Sequence, residues 1–253
     1  MKKEIHAFSF LWAFALITTT AQAGIIISER FSGSDSTDLV GTATPDGNNW
    51  TGGVGEKAKQ EESTDDTETP AGKKFSVKQD GSTGGVAFTA YHKFTPKPGQ
   101  IYTLEAVLSP TNKSDNQWFA VGFSLAARDG GNAPNLDGGT TYGQTVLSGS
   151  GYRYGWTGPD ATNMCELKGP GLHAGSVKVV LDTTKATAYT VELFDGDGAS
   201  LHGPKSIGTP AITRIFIGSS GTNGGFTSVT LSDNNPGSKD PAPQPETDTT
   251  SGE

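Results

Sequence analysis

Residues 176–194, SVKVVLDTTKATAYTVELF, carry two runs of alternation on either side of a short polar break. Val177, Val179 and Leu181 alternate with Lys178, Val180 and Asp182. Tyr189, Val191 and Leu193 alternate with Thr190, Glu192 and Phe194. A period of two sends successive side chains to opposite faces of a strand, and β-branched and aromatic residues suit that half-buried surface. With residues 183–185 as the connection, the pattern predicts an antiparallel hairpin with one apolar face. A hairpin cannot bury such a face alone. The rest of the chain must therefore supply neighbouring strands and a second layer.

The composition permits this and little else. Of 253 residues, 35 are Gly and 14 are Pro, and only 33% are hydrophobic, so the core must be economical and the loops plentiful. Periodic runs of Leu, Met and Ala that would favour long helices are missing. A single all-β domain with long loops is expected. The net charge of −8, without a basic stripe, argues against nucleic acid and anionic membranes as partners. The single cysteine, Cys165, excludes an intrachain disulfide and a thiolate metal cage. No His/Asn pattern accompanies it, so it reads as a small semi-buried residue rather than a nucleophile.

The first 23 residues read as a secretory signal peptide. Lys2 and Lys3 form a basic start, residues 8–17 an apolar run, and Ala21-Gln22-Ala23 a small-residue cleavage site. The apolar run is shorter than a membrane span requires. A secreted protein, extracellular or periplasmic, with a mature chain beginning at Gly24 and no membrane span within it, is the expectation. Residues 234–253 are rich in Pro, Asp, Glu, Ser and Thr and lack an apolar period, which predicts a disordered tail.

Between these ends, strands are expected at residues 24–31, 75–79, 86–94, 101–108, 118–125, 212–218 and 226–231. Residues 57–70 are dense in carboxylates and read as a solvated loop or insert. Calcium is conceivable there, but the alternating spacing and turn glycine of a calcium loop are missing. No other cofactor or metal is implied. Asp195-Gly-Asp-Gly198 lacks the terminal bidentate Glu of such a loop and reads as a tight turn. His92, His173 and His202 are scattered and fit turn or core roles better than ligation.

Candidate binding residues are aromatic. Trp50, in a polar loop over residues 32–53, either stacks on a ligand or folds back over the sheet edge, and the second is favoured. Trp118 shares its strand face with Ala120, Gly122 and Ser124. Such a face is either a ligand platform or packs beneath a loop. Tyr152, Tyr154 and Trp156 alternate and so fall on one side of a strand. Aligned rings stack on the C–H faces of a pyranose, and they equally fill a Leu-poor core, which is the favoured alternative.

The order of pieces resembles the laminin-G-like, concanavalin A-like jelly-roll domains of secreted bacterial proteins. The resemblance covers residues 24–233. It is carried by ERFSG (29–33), PGQIYTLEAVL (98–108), WFAVGFS (118–124), GPGLHAGSVKVVLDTT (169–184), YTVELFDGDG (189–198) and GGFTSVTLSD (224–233). It implies a two-sheet antiparallel sandwich with adjacent first and last strands. Where such domains often carry F-D-N in the closing strand, this chain has Phe226-Thr227-Ser228. The resemblance also implies a non-catalytic module for a glycan or a cell-surface protein. A glycoside hydrolase or lyase of the same fold and a structural matrix protein are the alternatives. The compact E-x-D-x-x-E run of the fold's glucanases does not occur, and Glu192 and Asp195 are spaced for opposite sides of a strand.

Overall fold

The computed structural model describes residues 24–31, 37–39, 47–52, 58–62, 75–79, 88–108, 118–125, 141–147, 152–157, 164–168, 175–219 and 225–234. The expected signal peptide, the tail beyond Asn234, most of the acidic stretch and His173 lie outside these residues.

The described residues are strands and connections, with no helix among them. In chain order the first eight strands are β1 (Gly24–Glu29), β2 (Thr37–Asp38), β3 (Thr51–Gly52), β4 (Ala58–Glu62), β5 (Phe75–Gln79), β6 (Phe88–Lys93), β7 (Ile101–Leu108) and β8 (Trp118–Ser124). The others are β9 (Thr141–Leu147), β10 (Tyr152–Thr157), β11 (Met164–Lys168), β12 (Gly175–Asp182), β13 (Tyr189–Phe194), β14 (Ser200–Gly208), β15 (Arg214–Ser219) and β16 (Phe226–Asp233). A nine-stranded sheet runs β14-β13-β12-β7-β16-β5-β4-β2, with β1 also on β16. A seven-stranded sheet runs β11-β10-β9-β8-β15-β6-β3. The chain passes repeatedly from one sheet to the other, as in a jelly roll. The first and last strands pair, Gly24 facing Asp233.

The alternation seen in the sequence is the alternation of burial. In β7, Tyr102, Leu104, Ala106 and Leu108 are buried and their neighbours half-buried. Val177, Val179 and Leu181 of β12 and Val191 and Leu193 of β13 continue that face. Phe119, Val121, Phe123, Ile215 and Ile217 of the second sheet meet it in one core.

The expected hairpin forms, with Lys178 opposite Phe194 and Asp182 opposite Thr190. Its connection is clamped to the turn at residues 95–100. The Gly99 N–H donates to the Thr183 carbonyl and the Thr183 N–H to the Gln100 carbonyl, each at 2.8 Å. The buried Thr183 hydroxyl lies 2.8 Å from the Lys97 carbonyl and accepts the Gln100 N–H at 3.0 Å. The Tyr102 hydroxyl accepts the Lys97 N–H at 2.7 Å. These bonds satisfy a turn whose prolines cannot donate.

Several expectations need correcting. Residues 58–62, read as part of a solvated loop, form β4 and pair with β5, Glu62 facing Phe75. Backbone pairing carries them, and apolar periodicity is blind to backbone pairing. Strand β9 begins at Thr141, so Gly143 lies within it. β11 and β14 have no clean alternation and went unforeseen. β14 contains Gly203-Pro204 and meets β13 with register shifts. Strands β5 and β6, consecutive in the chain, enter different sheets.

Candidate functional site

Register decides which residues share a face of the seven-stranded sheet. Phe119, Val121 and Phe123 of β8 face the core, so positions 118, 120, 122 and 124 take the other face. Residues directly opposite in an antiparallel pair share a face. Trp156 stands opposite Gly143, Gly143 opposite Gly122, Gly122 opposite Phe216, Phe216 opposite Tyr91, and Tyr91 opposite Thr51. A second row runs Tyr154, Thr145, Ala120 and Gly218. Trp118 is opposite Leu147, and Tyr152 is two residues from Tyr154 on the same strand. Positions 118, 152, 154 and 156 therefore lie on one face, turned away from the first sheet.

The middle of that face is closed. Tyr91, Ala120, Phe216 and Ser124 are buried, as are Gly122 and Gly143. The Tyr91 and Phe216 rings are 6.4 Å apart, tilted by 47°. The strands approach so closely that a Cβ at Gly122 would collide with the Tyr142 carbonyl and lie 2.9 Å from a Phe216 ring carbon. The small-residue face of β8 is thus packed over residues 120–124, and the open-platform alternative fails there. Side-chain volume is exchanged across the pair, with a ring from β15 over a glycine of β8.

Trp50 is also corrected as a ligand platform. It is fully buried, its ring 6.2 Å from Phe31 and 5.3 Å, edge-on, from the buried His92. It folds back over the sheet because β3 pairs with β6 next to it, which carries the indole inward. Phe31 adopts φ of 43°, unusual for a bulky residue, and its N–H donates to the Glu29 carboxylate at 2.8 Å.

The carboxylates weighed for catalysis have other work. Glu192 accepts the Ser200 hydroxyl at 2.8 Å. Asp195 accepts the Asp197 N–H at 3.1 Å and the Ala199 N–H at 2.8 Å, closing the turn between β13 and β14. Glu192 belongs to the nine-stranded sheet, and Asp195 lies in the turn that follows its strand β13. On the outer face of the seven-stranded sheet, Glu166, opposite Tyr154, is the single carboxylate position among the described strand residues.

Strand-by-strand reading missed a pair of cations. Arg214 of β15 stands directly opposite Lys93 of β6 on this outer face. An Arg214 guanidinium nitrogen donates to the Thr51 hydroxyl at 3.3 Å, and that hydroxyl donates to the Tyr91 carbonyl at 3.1 Å. Each residue alone looks like an ordinary polar strand end. The available signal was that both occupy the outward phase of their strands. Elsewhere, on the first sheet, Asp182, Lys185, Ala188, Thr190, Pro204 and Ser206 line a groove of about 320 Å³. The Asp182 carboxylate is engaged there by the Thr184 N–H and hydroxyl.

No protein-family model and no curated protein matches the chain. Among solved structures, it is similar to a protein of unknown function from Shewanella oneidensis MR-1, at 11% identity and a TM-score of 0.48, covering 85% of this chain and 89% of that one. A carbohydrate esterase from the Shiga toxin-encoding bacteriophage phi24B matches at 14% identity and 0.46, over 83% and 99%. The CBM2 module of the evolved Dit of Lactobacillus casei BL23 phage J-1 matches at 10% identity and 0.45, over 83% and 95%. At such identities and scores none of them assigns this chain a ligand or a reaction.

Proposed function

We propose that this chain is an exported, non-catalytic module that binds carbohydrate, free or displayed on a cell surface. Its contacts come from Trp118, Tyr152, Tyr154 and Trp156. In its finer form it is a laminin-G-like, concanavalin A-like domain of a secreted bacterial protein, freed of residues 1–23 on export. The observation that carries the reading is that all four aromatic positions fall on one face of the seven-stranded sheet, turned away from the core. Rings arrayed on one sheet face meet the apolar C–H faces of successive sugars, and neighbouring polar groups meet the hydroxyls. Binding without turnover is favoured because a glycosidase needs two carboxyls flanking the scissile bond, about 5–9.5 Å apart. Among the described strand positions of this face only Glu166 qualifies.

The test is a polysaccharide and glycan array probed with residues 24–253, with and without a calcium chelator. Binding is expected to survive chelation and to weaken at least about tenfold in Trp156→Ala and Trp118→Ala proteins whose circular dichroism is unchanged. Loss on chelation alone would make calcium part of the site. Silence on every glycan would refute the carbohydrate reading and leave a protein partner or a matrix role.

A further inference from the structure

Lys93 and Arg214 are directly opposed cations in a chain whose net charge is −8. Like charges directly opposite one another in a sheet are destabilising. Among the described residues neither cation meets a carboxylate. Lys178 of the other sheet, by contrast, is paired with Glu105 at 3.6 Å. A lone lysine beside the short strand β3 would be explained as protection of a sheet edge. A second cation facing it is not explained that way, because one charge already serves.

The arrangement around them is ordered. Thr51 receives the guanidinium and is itself anchored on the Tyr91 carbonyl, so Arg214 is held across the sheet rather than free in solvent. Lys93 and Thr51 are exposed and Arg214 half-exposed. Two cations and a hydroxyl thus converge on one patch of surface. Guanidinium and ammonium donors make short, charge-assisted bonds to carboxylate and sulfate oxygens, and the guanidinium does so with two parallel N–H groups. The patch lies on the face that carries the positions of Trp118, Tyr152, Tyr154 and Trp156: Thr51 ends the row that starts at Trp156, and Lys93 and Arg214 lie one step along the strands from it.

We infer that Lys93, Arg214 and Thr51 form an anion subsite that takes the carboxylate or sulfate of an acidic glycan. The inference rests on the carbohydrate reading above and narrows it to charged polysaccharides. The bound anion would remove the repulsion between the two cations, so ligand and fold support each other through the same charges.

The experiment measures affinity of residues 24–253 for two matched pairs of polymers. These are polygalacturonate against its fully methyl-esterified form, and dextran sulfate against dextran. We expect at least one charged polymer to bind about tenfold or more tightly than its neutral partner, with an advantage that shrinks in high salt. Arg214→Gln and Lys93→Gln should each abolish that preference, while Lys185→Gln in the connection between β12 and β13 leaves it intact. Which charged polymer shows the advantage identifies carboxylate or sulfate as the group bound. Arg214→Lys keeps the charge without the fork and should recover only part of the preference. If charged and neutral polymers bind alike, or if Arg214→Gln changes nothing, the subsite is refuted while the carbohydrate reading stands. If none of the four binds a folded protein but neutral glycans bind on the array, the result is the same. If no glycan of any kind binds, both fall together.

Discussion

The two sheets present the same kind of face to the core and different faces to the outside. In the nine-stranded sheet the outer positions Thr103, Glu105, Lys178, Val180, Thr230 and Ser232 are half-buried and mostly polar. In the seven-stranded sheet Ala120, Gly122, Ser124, Phe216 and Gly218 are buried on the outer side as well. Strand β7 accordingly alternates in burial along its whole length, while Ile215 to Ser219 of β15 are all buried. A sheet wetted on one face writes alternation into its sequence, whereas a sheet buried on both writes a continuous apolar or small-residue run. The first sheet supplies the wall of the sandwich. The second has an outer face that is itself packed at its centre, with aromatic positions on one flank and the Lys93–Arg214 pair on the other.

Phe216→Ala should have the largest effect on stability. If its outer face is core, the loss should be about 3–5 kcal/mol, the cost of truncating a buried aromatic. Val180→Ala, on the half-buried outer face of the first sheet, should cost much less, about 1 kcal/mol. Equal, small losses in urea denaturation would mean that the second sheet's outer face is no more a core than the first's.

Gly122→Ala should come next in cost. The added methyl meets backbone of β9 and a Phe216 ring carbon rather than a movable side-chain end. A cost of about 1–3 kcal/mol or more is expected, against gains usually seen when Ala replaces Gly in an open site. An unchanged melting temperature would show that β8 and β9 are not so closely apposed.

The smallest effect lies in the first sheet. The Tyr102 phenol is pushed above its ordinary 10.0 by burial, with the Lys97 backbone hydrogen bond opposing and Asp233 and Tyr189 adding to the rise. The folded state therefore holds this proton at a pH where the unfolded chain has released it. The associated stability is intact below about pH 10 and is lost as the pH rises through the folded value. Tyr102→Phe should cost about 1 kcal/mol at neutral pH by losing the bond to Lys97, and should flatten the decline above pH 10. A decline of equal slope in both proteins would assign it to other groups.

Much of the candidate site was legible, though unevenly. The i, i+2, i+4 spacing of Tyr152, Tyr154 and Trp156 is enough to place them on one side of a strand. That Trp118 joins them required the β8–β9–β10 register, and that Trp50 does not required the burial of its ring against Phe31 and His92. Lys93 and Arg214 are distant in sequence and meet only through the pairing of β6 with β15. A tryptophan in a polar loop and a lysine at a strand end carry no mark of what will lie opposite them.

The all-β character, the hairpin over residues 176–194, the core faces of β7, β8 and β12, and the tight turn at Asp195 are written in the chain. Each depends on alternation or turn chemistry, which are properties of a few adjacent residues. Long-range pairing set which sheet each strand entered, the union of residues 58–62 with β5, the burial of the second sheet on both sides at its centre, and the opposition of two cations on it. Those outcomes depend on which strand supplies the next set of hydrogen bonds and on how far it is displaced along its neighbour. Pairing partners distant in the chain leave no local period, and a shift of one residue exchanges the two faces.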